Sequence, residues 1–194
     1  MSIVGGLSSR GHNSRPALTS CHGFDADGDQ WIRIADLPRP VHSHDCCFDG
    51  ERYVYLFGGI HQDERVSNCC LRLDVTQDSS QWEDVAVPLE AAYSHKMLFV
   101  DGMILVVGGI GSNGQQMGLQ VMDLASTSYK HLSLPTTVDE HIFMCFNHSC
   151  HLSAARDGGT KLFIVGGGGN CFSFGTHMNR VILSFNLDEL KNCQ

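Results

Sequence analysis

The sequence predicts an all-β fold: a segment of a β-propeller with about three to four four-stranded blades and an incomplete ring. Three observations predict it. Glycine pairs end apolar runs at a regular interval, in Ile3-Val4-Gly5-Gly6, Leu56-Phe57-Gly58-Gly59, Val106-Val107-Gly108-Gly109 and Ile164-Val165-Gly166-Gly167. Their second glycines lie 53, 50 and 58 residues apart. Asp-Gly pairs precede those runs, at Asp49-Gly50, Asp101-Gly102 and Asp157-Gly158. A large aromatic residue follows the pairs, at Trp31, Trp82 and Tyr129.

Each observation has a physical reading. Asp-Gly between two strand-like runs marks a hairpin, because both residues tolerate positive φ. A short strand bearing histidine precedes each Asp-Gly: His42-Ser43-His44, Ser94-His95 and Asn147-His148-Ser149. A short proline loop follows each aromatic: Leu37-Pro38, Val87-Pro88 and Leu134-Pro135. In the second unit the strands are expected near Val41 to Phe48, Tyr53 to Phe57, Cys69 to Val75 and Trp82 to Val85. Their length, β-branched and aromatic content, and Gly/Asp/Ser borders suit strands. The best helix candidate, Leu187 to Lys191, is too short to be stable alone. The units divide as 1–37 (a partial blade), 38–87, 88–134, and 135–194 (a second partial blade). They form one repeat domain. Propellers close with about 4–8 blades, so two full and two partial blades leave an open array.

Composition narrows the function. The 194 residues are 42% hydrophobic and 18% charged, a globular balance. Net charge is −8 and the 13 basic residues are scattered. That lacks the clustered Lys/Arg of a nucleic-acid surface, so direct nucleic-acid binding by this segment alone is disfavoured and DNA is not an expected partner. The start lacks a basic n-region, and the longest apolar runs are strand-sized, so neither a secretory signal nor a membrane partner is expected. Nine cysteines include the adjacent pairs Cys46-Cys47 and Cys69-Cys70. Neighbours in a strand face opposite ways, so reduced thiols in a cytoplasmic protein are expected.

Rival chemistries are weak. Gly109-Ile110-Gly111-Ser112-Asn113-Gly114 matches a dinucleotide fingerprint, but strand-like sequence follows where a helix is required. His42, His44 and Cys46 alternate along one expected strand and share a face, which could ligate zinc. Cys145, His148 and Cys150 form a looser second group. No second ligand pair has zinc spacing, and no metal is assigned. No residue is singled out as a catalytic nucleophile, acid or base.

The most distinctive stretch is Gly166-Gly167-Gly168-Gly169-Asn170-Cys171-Phe172-Ser173-Phe174-Gly175-Thr176-His177-Met178-Asn179. Two of its four consecutive glycines exceed what the repeat needs. Two aromatics spaced by two point the same way if the segment is extended. Asn170, Cys171, Phe172, Phe174 and His177 are therefore the candidate binding residues, on an elaborated loop of a rigid scaffold.

The glycine pairs, the spaced aromatic and the period of about 50 residues resemble the kelch family. That resemblance covers essentially the whole chain. It implies that the diglycines Gly58-Gly59, Gly108-Gly109 and Gly166-Gly167 close second strands. It also implies that Trp31, Trp82 and Tyr129 pack in the core between blades. The run from Gly166 to His177 further resembles the end of the kelch region in the leucine-carboxyl-methyltransferase-like family of tRNA wybutosine synthesis. That resemblance implies a two-part protein, with an S-adenosylmethionine-dependent methyltransferase domain before the propeller. It implies action on the modified guanosine beside the anticodon of phenylalanine tRNA. The chain itself shows no counterpart of the methyltransferase half. S-adenosylmethionine therefore belongs to the implied parent protein and not to these residues. Expected partners are a methyltransferase domain or another protein, and phenylalanine tRNA through the parent. The competing expectation is a kelch interaction adaptor without enzymatic role.

Overall fold

The computed structural model describes residues 2–7, 16–154, 159–171 and 175–187. Among the described residues the chain lays down four antiparallel blades in succession, with three two-stranded ladders beside them. The first blade has strands Ser2–Leu7, Ala17–Asp25 and Gln30–Ile34. The second has Asp45–Phe48, Tyr53–Phe57, Cys70–Asp74 and Glu83–Val85. The third has Lys96–Val100, Met103–Val107, Leu119–Asp123 and Tyr129–Leu132. The fourth has His148–Ala154, Thr160–Gly166 and Leu183–Asn186. Within each blade, strands neighbouring in sequence are neighbours in the sheet. The best helix candidate of the sequence, Leu187 to Lys191, lies beyond Leu187 outside the described residues.

The turn chemistry works as the sequence suggests in one blade and differently in another. Asp101 and Gly102 both take positive φ, 48° and 77°. They join Val100 directly to Met103, as a two-residue hairpin requires. Asp49 instead leads a longer turn. Its carboxylate accepts the backbone N–H groups of Glu51, Arg52 and Tyr53 at 2.9, 2.7 and 3.0 Å. Asp157-Gly158 lies outside the described residues.

One expected strand is broken. The run from Val41 to Phe48 splits into Val41–His42 and Asp45–Phe48, because Ser43 takes φ 56°. Ser94 and Asn147 do the same at φ 55° and 52°. These kinks couple the blades: Ser94 N–H donates to Ser43 O at 2.8 Å, and Asn147 N–H to Ser94 O at 3.2 Å. The kink at Ser43 also ends the alternation by which His42, His44 and Cys46 would share a face.

The core lies in the seams between blades. Cys21, Leu37, Val41, Leu56 and Leu71 fill the first seam. Tyr55, Phe57, Met97, Ile104 and Val106 fill the second. Leu105, Val107, Phe143, Leu162 and Ile164 fill the third. Each buried side chain of this size contributes about 1.5–3 kcal/mol. Second strands of inner blades are buried on both faces, as in Ile104 to Val107. In the last blade Leu162 and Ile164 are buried while Val165 is 41% exposed. Cys46 packs on the first seam and its neighbour Cys47 on the second. Cys21, Cys46, Cys47, Cys69, Cys70, Cys145 and Cys150 form no disulfide.

The aromatic positions divide. Trp82 packs against the first seam, and its indole N–H donates to Ala35 O at 2.9 Å. Tyr129 packs on the second seam. Trp31 is not the expected core residue: it is 49% exposed and touches Phe24 at 5.2 Å between ring centroids. Trp82 and Tyr129 each reach back to the preceding blade. Among the described residues no blade precedes Trp31.

Both glycines are left-handed in three of the four pairs: φ is 69° and 90° at Gly58-Gly59, 62° and 91° at Gly108-Gly109, and 70° and 93° at Gly166-Gly167, whereas in Gly5-Gly6 only Gly6 takes positive φ. A Cβ on Gly58 would strike the Ala92 carbonyl, and one on Gly108 the Cys145 carbonyl, both on the chain entering the next blade. A Cβ on Gly166 would meet nothing within 4 Å. The three positions share one backbone strain and differ in crowding. Gly166→Ala is expected to cost about 1–2 kcal/mol, the left-handed penalty alone. Gly58→Ala and Gly108→Ala are expected to cost measurably more. Urea unfolding of the three variants checks this, and equal losses would remove the crowding argument.

A candidate binding cleft on the last blade

In each of the last three blades the loop that leaves the glycine pair closes by one backbone bond. Ser67 N–H donates to Gly59 O, Met117 N–H to Gly109 O, and Asn179 N–H to Gly167 O, at 2.9, 2.9 and 3.0 Å. The donor stands eight positions after the glycine in the first two blades and twelve in the last. The extra length forms a hairpin, Gly168–Cys171 with Gly175–Met178. The dinucleotide-like run Gly109 to Gly114 is the short version of this loop. Gly111 N–H donates to Gln115 O at 2.9 Å, and strand Leu119–Asp123 follows.

A second hairpin stands in the linker before the last blade. Thr137–Val138 pairs with His141–Ile142, through a turn with φ 49° at Asp139 and 65° at Glu140. The corresponding linkers of the second and third blades hold only Val41–His42 and Ala92–Tyr93. Between the two hairpins lies a cleft of about 650 Å³, lined among others by Glu140, His141, Phe143, His177, Met178 and Arg180. Ile142 and Met178, also lining it, are 59% and 65% exposed. The His177 Nε2 is buried without a hydrogen-bond partner.

Asn179 anchors the longer loop. Its carboxamide accepts from Met144 N–H at 3.0 Å and donates to Met144 O and Gly166 O at 2.8 and 2.7 Å. The two additional glycines permit close approach. A Cβ on Gly168 would meet the His177 carbonyl, and one on Gly169 the Phe146 ring. Of the candidate binding residues, His177 lines the cleft. Asn170 and Cys171 contribute backbone to the hairpin. Phe172 and Phe174 lie outside the described residues. Asn179 and Arg180 were not singled out from sequence, since an Asn-Arg pair after a glycine run carries no recognised spacing.

A second constellation lies at the kinks. His44, His95 and His148 each follow the left-handed residue of their blade. His95 is 2% exposed and His148 3%. The His95 ring lies 5.5 Å from the Phe57 ring, and an added Cβ on Gly58 would meet its Cε1. Neither nitrogen of His95 has a hydrogen-bond partner. The nearby Phe57 carbonyl favours the charged ring electrostatically without meeting hydrogen-bond geometry. Burial prevails and pushes the His95 imidazole down to about 3, and that of His148 to about 4.

The looser group of Cys145, His148 and Cys150 is partly assembled. The Cys145 Sγ lies 3.8 Å from His148 Nε2. Burial pushes both thiols, Cys145 and Cys150, up to about 12. Neutral thiol beside neutral imidazole is not an activated nucleophile. His42 Nδ1 lies instead 2.9 Å from Ser43 Oγ. Among the described residues no three His, Cys, Asp or Glu side chains group as a cation site.

No family model matches the chain. It is 30% identical over 181 residues to human tRNA wybutosine-synthesizing protein 4, covering 90% of this chain and 26% of that protein. The rat protein of the same name is 28% identical over the same shares. The chain thus spans about a quarter of the length of these relatives. Human kelch repeat and BTB domain-containing protein 12 is 29% identical over 52% of the chain and 17% of that protein. The solved structure of YjhT, a kelch-type propeller, superposes with a TM-score of 0.71 at 13% identity, over 95% of this chain and 65% of that one.

The buried histidines predict a pH effect. A histidine whose folded pKa lies below its unfolded value near 6.5 binds more protons unfolded. Stability is therefore full above about pH 6.5 and falls as pH drops toward 4. The loss should reach a few kcal/mol by pH 4. His95→Leu should flatten that slope, as read by urea unfolding at a series of pH values. An unchanged slope would refute the assignment. The blade order and the diglycine seams make this chain a segment of a kelch-type β-propeller, and in sequence it is similar to about a quarter of human tRNA wybutosine-synthesizing protein 4.

Proposed function

We propose that the chain is the kelch portion of an S-adenosylmethionine-dependent methyltransferase of tRNA wybutosine synthesis. It serves there as a scaffold or positioning module for the modified loop of phenylalanine tRNA. The observation that carries this reading is the 30% identity over 90% of the chain to tRNA wybutosine-synthesizing protein 4. The cleft between the two extra hairpins is the surface assigned to that task. His141, His177 and Arg180 supply hydrogen-bonding groups, and the exposed Ile142 and Met178 supply apolar contact area. Methyl transfer belongs to a separate domain that binds S-adenosylmethionine, and the working site is cytoplasmic. No helix among the described residues is long and apolar enough to cross a membrane.

The net charge of −8 and the match to a BTB-containing kelch protein favour a second reading, a protein-binding adaptor. The cleft would then take a protein segment, and tRNA modification would not depend on it.

Two measurements separate these readings. The isolated chain should transfer no methyl group from S-adenosylmethionine to precursor tRNA; transfer would refute the division of labour. In a complementation assay for wybutosine formation, the paired change His177→Ala and Arg180→Glu in the full-length protein should lower product severalfold at unchanged protein level. Undiminished wybutosine would move the cleft to the adaptor reading. Phe172→Ala with Phe174→Ala tests the remaining candidate residues in the same assay, and undiminished wybutosine with an intact fold would remove them from the binding surface.

A further inference from the structure

Blade two carries a pocket that the repeat does not require. It lies where the linker Arg39-Pro40 meets the loop from His61 to Cys69, and its volume is about 450 Å³. The other blades supply the comparison. Four residues before each left-handed kink stand Arg39, Glu90 and Phe143. Two residues before each closing donor of the glycine loop stand Arg65, Gln115 and His177. Of these three blades, blade two alone has arginine at both positions, and both arginines line the pocket. A residue that the fold demands would recur from blade to blade, and this pair does not.

The frame around the pair is held by backbone bonds. Val41 and His42 pair with His61 and Ile60, and Ile60 pairs with Val66. His61 N–H donates to Arg65 O at 3.0 Å. Gln62 Oε1 accepts Ala17 N–H at 2.7 Å, which ties the loop to blade one. Arg65 Nε donates to Asp63 Oδ2 at 2.7 Å, so that carboxylate is offset within the loop. Arg39 is exposed and, among the described residues, joins no ion pair. Ser67 Oγ accepts Cys69 N–H at 3.1 Å and keeps its own proton to donate. A smaller compartment of about 70 Å³ adjoins the pocket, sharing Arg39, His61 and Ser67, with Val41, Leu56 and Leu71 as apolar walls. Asp84 borders this inner compartment, which disfavours an anionic group there. The net charge of −8 is largely spent elsewhere. In an antiparallel blade the turns after the first and third strands share one end, and the loop after the second lies at the other. The carboxylates of Asp49, Asp74 and Asp123 serve turns at that far end.

From this arrangement we propose that the blade-two pocket binds a carboxylate carried on a short apolar stem. The planar guanidinium of Arg39 takes the carboxylate with paired hydrogen bonds, and the Ser67 hydroxyl adds a third. The stem enters the compartment between Leu56 and Leu71, which has room for roughly two carbons. One uncompensated arginine suits a monoanion better than a phosphate monoester, which carries about two charges. The carboxylate comes from a free short-chain acid or from an acidic side chain of a partner protein. The pocket is separate from the hairpin cleft, so the inference rests on neither reading of that cleft.

The probes are butyrate and a blocked five-residue peptide with one central glutamate, each titrated into the isotope-labelled chain and followed by amide shifts. Saturable shifts at Arg39, Ser67 and Asn68 are expected with at least one probe. Peptide binding tighter than butyrate by about tenfold or more assigns the group to a protein segment; any smaller advantage assigns it to a free acid. Arg39→Gln should weaken binding by about tenfold or more, as loss of a charge-assisted pair requires. Arg39→Lys should weaken it less, because the charge remains without the planar fork. Both variants should keep the circular dichroism of the parent chain, since Arg39 is exposed. If Arg39→Gln alters it, butyrate against its neutral amide, butyramide, decides. Absence of saturable binding by both probes overturns the proposal. So does butyramide binding as well as butyrate, binding indifferent to Arg39→Gln, or inorganic phosphate binding more tightly than both probes.

Discussion

The close approach of one blade's backbone to the diglycine of the blade before it is the contact on which the rest of the array depends. The carbonyls of Ala92 and Cys145 come so near Gly58 and Gly108 that no side chain fits there. The same approach lets Gly59 N–H donate to Ala92 O at 2.8 Å and Gly109 N–H to Cys145 O at 2.6 Å. A buried backbone donor left unpaired would cost about 1–3 kcal/mol. Blade spacing is thus fixed by main-chain geometry before any side chain is counted. The kinks at Ser43, Ser94 and Asn147 place each first strand at that distance and add a second interblade bond.

With the spacing fixed, the seams fill by a rule of alternation. Successive residues of a second strand face opposite seams. An inner blade therefore needs apolar residues at every position, and a terminal blade at every other one. Ile104 to Val107 obey the first condition, and Leu162 and Ile164 against Val165 the second. Gln120 and Asp45 enter the seams with partners that span blades. Gln120, fully buried, exchanges two hydrogen bonds with the Glu90 backbone at 2.7 and 3.2 Å. Asp45 accepts from Met97 N–H at 2.8 Å. Such bonds set register more than they add stability, since each contributes on the order of 1 kcal/mol net.

The parts of this fold that were readable in the sequence are those written in backbone conformation. Glycine pairs and Asp-Gly turns announce positive φ because few other residues take it cheaply. Hence the second strand of the second blade, Tyr53–Phe57, falls where expected. The kink at Ser43 was hidden for the same reason. Serine gives no sign of a left-handed conformation, so the zinc-like alternation of His42, His44 and Cys46 looked continuous. Trp31 shows a different limit. The repeat announces an aromatic but cannot say whether the blade it should touch is there. The cleft was half legible: the glycine run marked one hairpin, while the other, at Asp139-Glu140, has two acidic residues in left-handed geometry and no glycine to betray it.

Both extra hairpins occur in one blade, and the closure bond explains how they can. The loop between second and third strands begins at the second glycine and ends at the residue that bonds back to it. Anything inserted between those two points leaves the sheet register untouched. Asn179 makes that closure after a longer excursion, and its carboxamide ties Met144, at the entrance to the blade, to Gly166 at the end of its second strand. The linker hairpin and the loop hairpin are therefore hung from one amide side chain. A change in the position of one is transmitted to the other across the cleft they enclose. That coupling gives the last blade a binding surface whose two walls share a single support, while the seam beneath it keeps the spacing the diglycines impose.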